Sequence, residues 1–319
     1  MRHLPGYAVH GIFSGRDVIL DAMGQGIDKF VLRLSDSGAK FDYRSCVTRT
    51  ERLAEAFYKM RGEVGRYARL TVDPFAVALN PDGRWGVPTE GGINYEKTTE
   101  LLEKIGSLFA AAEADALVTL GRLDVEVEAC RHGIDRVGGV TILSSFSANS
   151  ETSAAYIYLD HGHDTGQKIF PGNINEMLLW SLCDIWNGTE IVLVKPLENL
   201  HVSARLSDYI RGPHRAIEFI KSYVPQDLAF ISPAAGRAVA EIREDPEEFA
   251  RRLGAARIGA YAVSGTTFML SLLADSCGVD QAIARLREMW LEVLAALGDQ
   301  VDSITDRNAA SYLRGQVLH

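Results

Sequence analysis

The densest group of ionisable side chains in this sequence is Asp160-His161-Gly162-His163-Asp164, at the end of the β-rich run AAYIYLD. Two histidines at i, i+2 flanked by carboxylates can supply ligands for a divalent metal, and a bound metal would make hydroxide available from water at neutral pH. His161, His163, Asp160 and Asp164 are therefore the candidate metal ligands, and Asp160 and Asp164 the candidate catalytic carboxylates. A zinc site usually needs a third protein ligand, which no further His-rich motif identifies. The same residues also make a polar loop whose aspartates satisfy local turn bonds.

Two glycine turns could bind ligands. Ser264-Gly265-Thr266-Thr267 follows the apolar run IGAYAV and enters a helical pattern. Small residues there let backbone N–H groups approach a phosphate at the helix N-terminus, and the hydroxyls can donate as well. An ordinary N-cap uses the same residues. Gly91-Gly92-Ile93-Asn94 opens the next candidate site, where Gly91 and Gly92 admit a substrate to the backbone and Asn94 can bond a hydroxyl in two directions. A flexible turn with an Asn cap is the alternative. Arg237, after DLAFISPAAG, could meet an anion with its planar fork or be solvated. Asp17, Asp28, Asp302 and Asp306 read as surface charges.

The elements that must position these residues alternate between strand and helix. The runs 29–34 and 39–44 suggest a hairpin about Asp36-Ser37-Gly38, and a second hairpin is expected about Asn80-Pro81-Asp82-Gly83. Helices are expected at 50–62, 95–114, 123–132 (with Gly133 as C-cap), 174–186, 203–222 and 245–253, and over most of the last fifty residues. Strands are expected at 116–120, 140–146, 154–160, 189–197, 227–232 and 258–265. Short strands separated by helices of ten to fifteen residues imply an α/β fold with a largely parallel central sheet flanked by helices. The N-terminal hairpins would add an antiparallel lobe, dividing the chain into residues 1–90 and a main domain at 91–319.

Composition narrows the class further. The chain has 319 residues, 47% of them hydrophobic and 24% charged, with a formal charge of −9. It has no basic run longer than Arg251-Arg252, which argues against nucleic acid as a partner. No stretch approaches the ~18 apolar residues of a membrane span, and the first residues lack the apolar core of a signal peptide, so a cytoplasmic location and no membrane partner are expected. Four cysteines, none in C-x-x-C spacing, read as buried reduced thiols. The expected partner is a small molecule, and a homo-oligomer is compatible with the sequence.

Residues 91–175 also resemble the ribokinase-like sugar and nucleoside kinases. The resemblance rests on GGINYEKTTELLEKIG, LGRLDVEVEACRHGIDRVGG and SANSETSAAYIYLDHGHDTGQKIFPGN, with SGTTFMLSLLADSCGVDQAIARL in place of that family's anion hole. Thr266 stands where that family carries its catalytic aspartate. RRLGAARIGAYAVSGTTFMLSLL is in turn similar to the last glycine motif of the GHMP kinases, whose phosphate-loop signature is missing. These resemblances imply a phosphotransferase or phosphate-ester-binding enzyme acting on a sugar- or polyol-like substrate, with ATP and Mg2+. The phosphate would sit at Ser264–Thr267 and the polyol at Gly91, Gly92 and Asn94. The alternatives are a metal-dependent hydrolase or lyase using the 160–164 cluster, with another divalent metal, and a non-catalytic ligand-binding protein on a kinase-like fold.

Overall fold

Lys29, Val31 and Arg33 alternate with Phe30 and Leu32, and this period-two pattern forms a strand rather than half of a hairpin. The computed structural model describes residues 10–36, 38, 40–80, 85–150, 169–307 and 309–313. A first helix, α1 (Ile12–Met23), leads into β1 (Lys29–Arg33). The expected return strand does not form over the described residues 40–44, and Tyr43 begins a long helix, α2 (Tyr43–Val64). Asp42 caps it by accepting from Ser45 N at 3.0 Å, and a satisfied N-cap outweighs a short alternating run. The chain then enters β2 (Arg69–Asp73), which pairs with β1 in parallel over five residues. Residues 29–33 and 69–73, expected in two antiparallel hairpins, thus pair in parallel as part of the main sheet. Of the second expected hairpin, the described residues show the single antiparallel bridge Leu79 to Trp85.

A small antiparallel pair, β3 (Pro88–Thr89) and β4 (Gly92–Ile93), precedes α3 (Tyr95–Ala111). Strand and helix then alternate through β5 (Ala116–Thr119), α4 (Glu126–Arg136), β6 (Ile142–Ser145), α5 (Ile174–Trp186) and β7 (Ile191–Val194). Gly133 lies inside α4, where its missing side chain admits α3: a Cβ there would stand 2.1 Å from Glu103 O. After β7 come five helices: α6 (Leu200–Arg211), α7 (Pro213–Lys221), α8 (Pro225–Ile231), α9 (Pro233–Glu244) and α10 (Pro246–Ala255). Proline occupies the first turn of the last four, where its missing N–H costs nothing. The expected strand at 227–232 is therefore helix α8, because Pro225 starts a helix that the short apolar run alone did not reveal. The chain finishes with β8 (Arg257–Tyr261), α11 (Ser264–Cys277), α12 (Val279–Leu297), β9 (Val301–Thr305) and α13 (Ala309–Leu313). β9 was not foreseen; VDSIT is too polar and short to stand out from its helical neighbours.

The seven long strands lie in the order β1-β2-β5-β6-β7-β8-β9, all parallel. Chain order and sheet order coincide, so the winding never reverses and the sheet has no topological switch point. Such a sheet keeps its helices on one face and curls the other inward, giving a nearly closed barrel of the TIM type. Alternate residues serve the two faces. Leu117, Leu143, Val192, Val194, Ile258 and Ala260 face the helices. Val118, Phe146, Ile191 and Leu193 pack with Val31, Ile142 and Tyr261 in the interior. Gly259 leaves room there for the Leu193 side chain, whose Cδ2 would lie 2.4 Å from a Cβ.

The first and last strands of this sheet meet through charge. Arg69 of β2 grips the Asp302 carboxylate of β9 with both guanidinium nitrogens, one at 2.7 Å. Lys29 Nζ donates to Asp302 O at 2.7 Å. The Asp302 side chain is only 10% exposed, which corrects its reading as a surface charge. Burial works to raise its pKa, but hydrogen bonds from Arg69 and Ser303 and the charges of Arg69 and Lys29 hold it below the usual value. An acid depressed on folding stabilises the fold above its unfolded pKa and loses that contribution as pH falls through the folded one. Asp302→Asn should lower the unfolding free energy by about 3 kcal/mol at pH 7, the scale of a broken half-buried pair. In urea titrations the gap between wild type and variant should narrow below pH ~4.

Candidate functional site

The barrel's C-terminal rim is built by the residues that end each strand. Stepping by two along β7 from Ile191 and Leu193 brings the next inward side chain to Lys195, immediately beyond the strand. Its backbone pairs with the segment after β6: Lys195 N donates to Ala148 O at 2.9 Å, and Lys195 O accepts from Ser150 N at 3.0 Å. Asn199 Nδ2 donates to the same carbonyl at 3.1 Å. The Lys195 ammonium lies 5.3 Å from the Phe146 ring centre and 5.4 Å from that of Tyr261. Those rings meet edge to face at 5.1 Å. Two aromatic faces against one amine fix its position.

This amine opens on a cavity of about 1230 Å³ that takes in the barrel interior and extends to α1 and α2. Arg33, Asp73, Arg122, Ser264 and Arg307 line the same space. Burial pushes the Tyr261 phenol up, Asp73 adds to this, and Arg307 and Arg33 oppose it. The rim is therefore rich in guanidinium groups, a setting for an anionic ligand despite the protein's net negative charge.

The sequence-derived candidates fall in several places. Ser264 begins α11 and faces this cavity, with its Oγ accepting from Arg307 Nη2 at 3.2 Å. Gly265, Thr266 and Thr267 are buried behind it, and Thr266 Oγ1 donates to Glu198 at 2.7 Å. Gly91 and Gly92 lie in the β3–β4 hairpin, and Asn94 caps α3 by accepting from Lys97 N at 3.0 Å. Arg237 pairs with Glu128 at 2.8 Å and lines a second cavity. Asp160, His161, His163 and Asp164 lie outside the described residues. Among the described residues no three His, Cys, Asp or Glu side chains group as a metal site. Sequence reasoning missed Lys195; the signal for it was a lone lysine ending the otherwise apolar run IVLV before a proline.

The second cavity, about 890 Å³, sits on the outer side of the loop after β5 and shares Arg122 with the barrel space. That loop is pinned by Glu126, a buried carboxylate accepting from the backbone N–H groups of Leu120, Gly121, Arg122 and Leu123 at 2.6–3.1 Å. Gly121 adopts φ 68° and packs on Ser147, leaving no room for a Cβ. Asp184 of α5 lines the cavity. Burial pushes its pKa up to about 7, while the Ser147 and Ser145 hydroxyls pull it down and the charge of Glu126 adds to the rise. An acid raised on folding favours the proton-bound native state, so its cost grows as pH climbs from the unfolded to the folded pKa. Asp184→Asn should remove that cost. The variant's stability relative to wild type, measured by urea unfolding, should rise between pH 4 and 7 by at most about 4 kcal/mol.

No protein-family model matches this chain. Among characterised proteins, it is 26% identical over 191 residues to a delta-aminolevulinic acid dehydratase of Methanothermobacter thermautotrophicus, covering 54% of this chain and 59% of that one. It is 27% identical over 184 residues to the delta-aminolevulinic acid dehydratase of Rhodobacter capsulatus, covering 54% of each. The match thus spans little more than half the length of these relatives. Among solved structures, the delta-aminolevulinic acid dehydratase (porphobilinogen synthase) of Toxoplasma gondii, bound to its product porphobilinogen, superposes with a TM-score of 0.69 at 19% identity. That superposition covers 95% of this chain and 76% of the other and supports the barrel fold. These findings overturn the resemblance to the ribokinase-like and GHMP kinases, and with it the phosphotransferase reading and its ATP. A glycine turn between strand and helix recurs wherever parallel strands feed helices, so the turn at 264–267 identified the element but not the family.

Proposed function

We propose that this chain is a lyase-type condensing enzyme that forms an imine between Lys195 and the ketone of an amino-keto acid of the δ-aminolevulinate kind. The observation that carries the reading is the Lys195 amine, set between Phe146 and Tyr261 at the C-terminal mouth of a barrel and open to the large cavity. Catalytic groups of this fold stand at that end of the strands. The names of the sequence relatives supply the substrate class.

The chemistry follows from the amine. Its lone pair attacks the ketone carbon, and after proton transfers the ketone oxygen leaves as water, giving an imine. Protonated, the imine withdraws electrons from the neighbouring carbons, so one of them can lose a proton and attack the ketone carbon of a second substrate molecule. A carbon–carbon bond forms, and the oxygen of that second ketone leaves as water after protonation. The aromatic walls orient the amine and limit water beside it. Arg307 and the Ser264 hydroxyl, 3.2 Å apart, form the receptor for the substrate carboxylate at the N-terminus of α11. In this reading the turn expected to hold phosphate instead receives a carboxylate.

Borohydride reduction in the presence of δ-aminolevulinic acid should trap the imine. Mass spectrometry should then show a gain equal to the keto acid less one oxygen, on the peptide containing Lys195, and Lys195→Ala should show none. A wild-type protein that gains no mass, or a variant that still does, rejects the imine. Arg307→Ala should weaken substrate binding about 10- to 100-fold, the worth of a charged hydrogen bond, as read by the δ-aminolevulinate concentration at half-maximal trapping.

A further inference from the structure

The outer cavity is lined by more carboxylates than cationic side chains, the latter including Arg122 and Arg237. Five carboxylates line it, from Glu103, Asp124, Glu128, Glu176 and Asp184. Two are met by guanidinium groups, Glu128 by Arg237 at 2.8 Å and Glu103 by Arg136 at 3.3 Å. The hydrogen bonds to Asp124 and Glu176 come from neutral donors. Asp124 accepts from Tyr95 and Ser232, each at 2.6 Å, and Glu176 accepts from Asn173 at 2.5 Å and from the Trp180 indole at 3.5 Å. Asp184 is 7% exposed, and its Oδ2 has no hydrogen-bond partner among the described residues. A buried acceptor left open in this way is costly unless a ligand completes it. Trp180, Leu123, Val125 and Ile169 supply apolar wall beside it.

We propose that this cavity is a second ligand site that takes a small organic ammonium ion, with the ammonium group donating to Asp184 and the apolar body lying against Trp180. A cation is selected because the wall holds carboxylates, Asp124 and Glu176, whose hydrogen bonds come from neutral donors. An organic cation is favoured over a metal because the described residues offer no group of three metal ligands. The site is separate from the Lys195 cavity, with Arg122 the one residue lining both, so the proposal does not depend on the imine chemistry.

Isothermal titration of the full chain with benzylammonium chloride, benzyl alcohol and sodium benzoate tests it. Benzylammonium should bind saturably with one site, the alcohol at least about tenfold more weakly, and benzoate not at this site, the difference being that of a charged hydrogen bond. Asp184→Asn should weaken benzylammonium by a similar factor, and Trp180→Leu should weaken both the amine and the alcohol. Lys195→Ala should bind benzylammonium as wild type does. Should Asp184→Asn fail to fold, Trp180→Leu and Glu176→Gln carry the test, each expected to weaken the amine. The proposal fails if benzylammonium does not bind, if the alcohol binds as well, if the folded variants of this pocket keep wild-type affinity, or if Lys195→Ala abolishes binding.

Discussion

The Asp302 carboxylate joins the two ends of the sheet, and the geometry of the interior follows from that junction. Seven parallel strands wound in one direction have an inner face that must be covered by its own curvature. The grip of Arg69 and Lys29 on Asp302 draws β9 toward β1 and β2. The charges lie at the bottom of the barrel, where side chains of β1, β2 and β9 converge, and are partly withdrawn from water. With the sheet curled, Val31, Val118, Ile142, Phe146, Ile191 and Leu193 pack as one interior cluster. An open sheet would leave that apolar face in solvent.

Once the interior is defined, the period of a strand assigns the chemistry. Ile191 and Leu193 point inward, and so does Lys195, the next residue of that parity. Its backbone bonds to Ala148 and Ser150 extend strand-like pairing one residue past the end of β7. The lysine is therefore held rigidly at the point where the barrel opens, and its aromatic neighbours come from the flanking strands, Phe146 after β6 and Tyr261 at the end of β8. Arg33 ends β1 and Arg307 follows β9, so positive charge arrives at the same rim from opposite ends of the chain.

Glu126 divides the space around that rim. Its four backbone acceptor bonds shape the loop after β5 into a wall with the barrel cavity on one side and the acidic outer cavity on the other. A carboxylate bound to four amides gives the loop one conformation, and Gly121 lets it lie directly on Ser147. Two cavities can thus stand a single loop apart.

Local sequence determined the elements whose signals are local. The helix at 174–186 was legible from its apolar spacing, and the buried strands expected at 116–120 and 189–197 from their apolar runs, because each pattern is complete within a dozen residues. The parallel α/β class followed from their alternation. The kinase resemblance misled because it rested on turns that many folds share. Only the tertiary structure decided that 29–33 and 69–73 pair in parallel across α2, that VDSIT is the last strand, and that Asp302 lies against Arg69, 233 residues away in sequence. Those outcomes depend on contacts between distant segments, and no window of neighbouring residues contains both partners. Lys195 belongs with them: in the sequence it is one lysine among eight, and only the nearly closed barrel with its two flanking rings sets it apart.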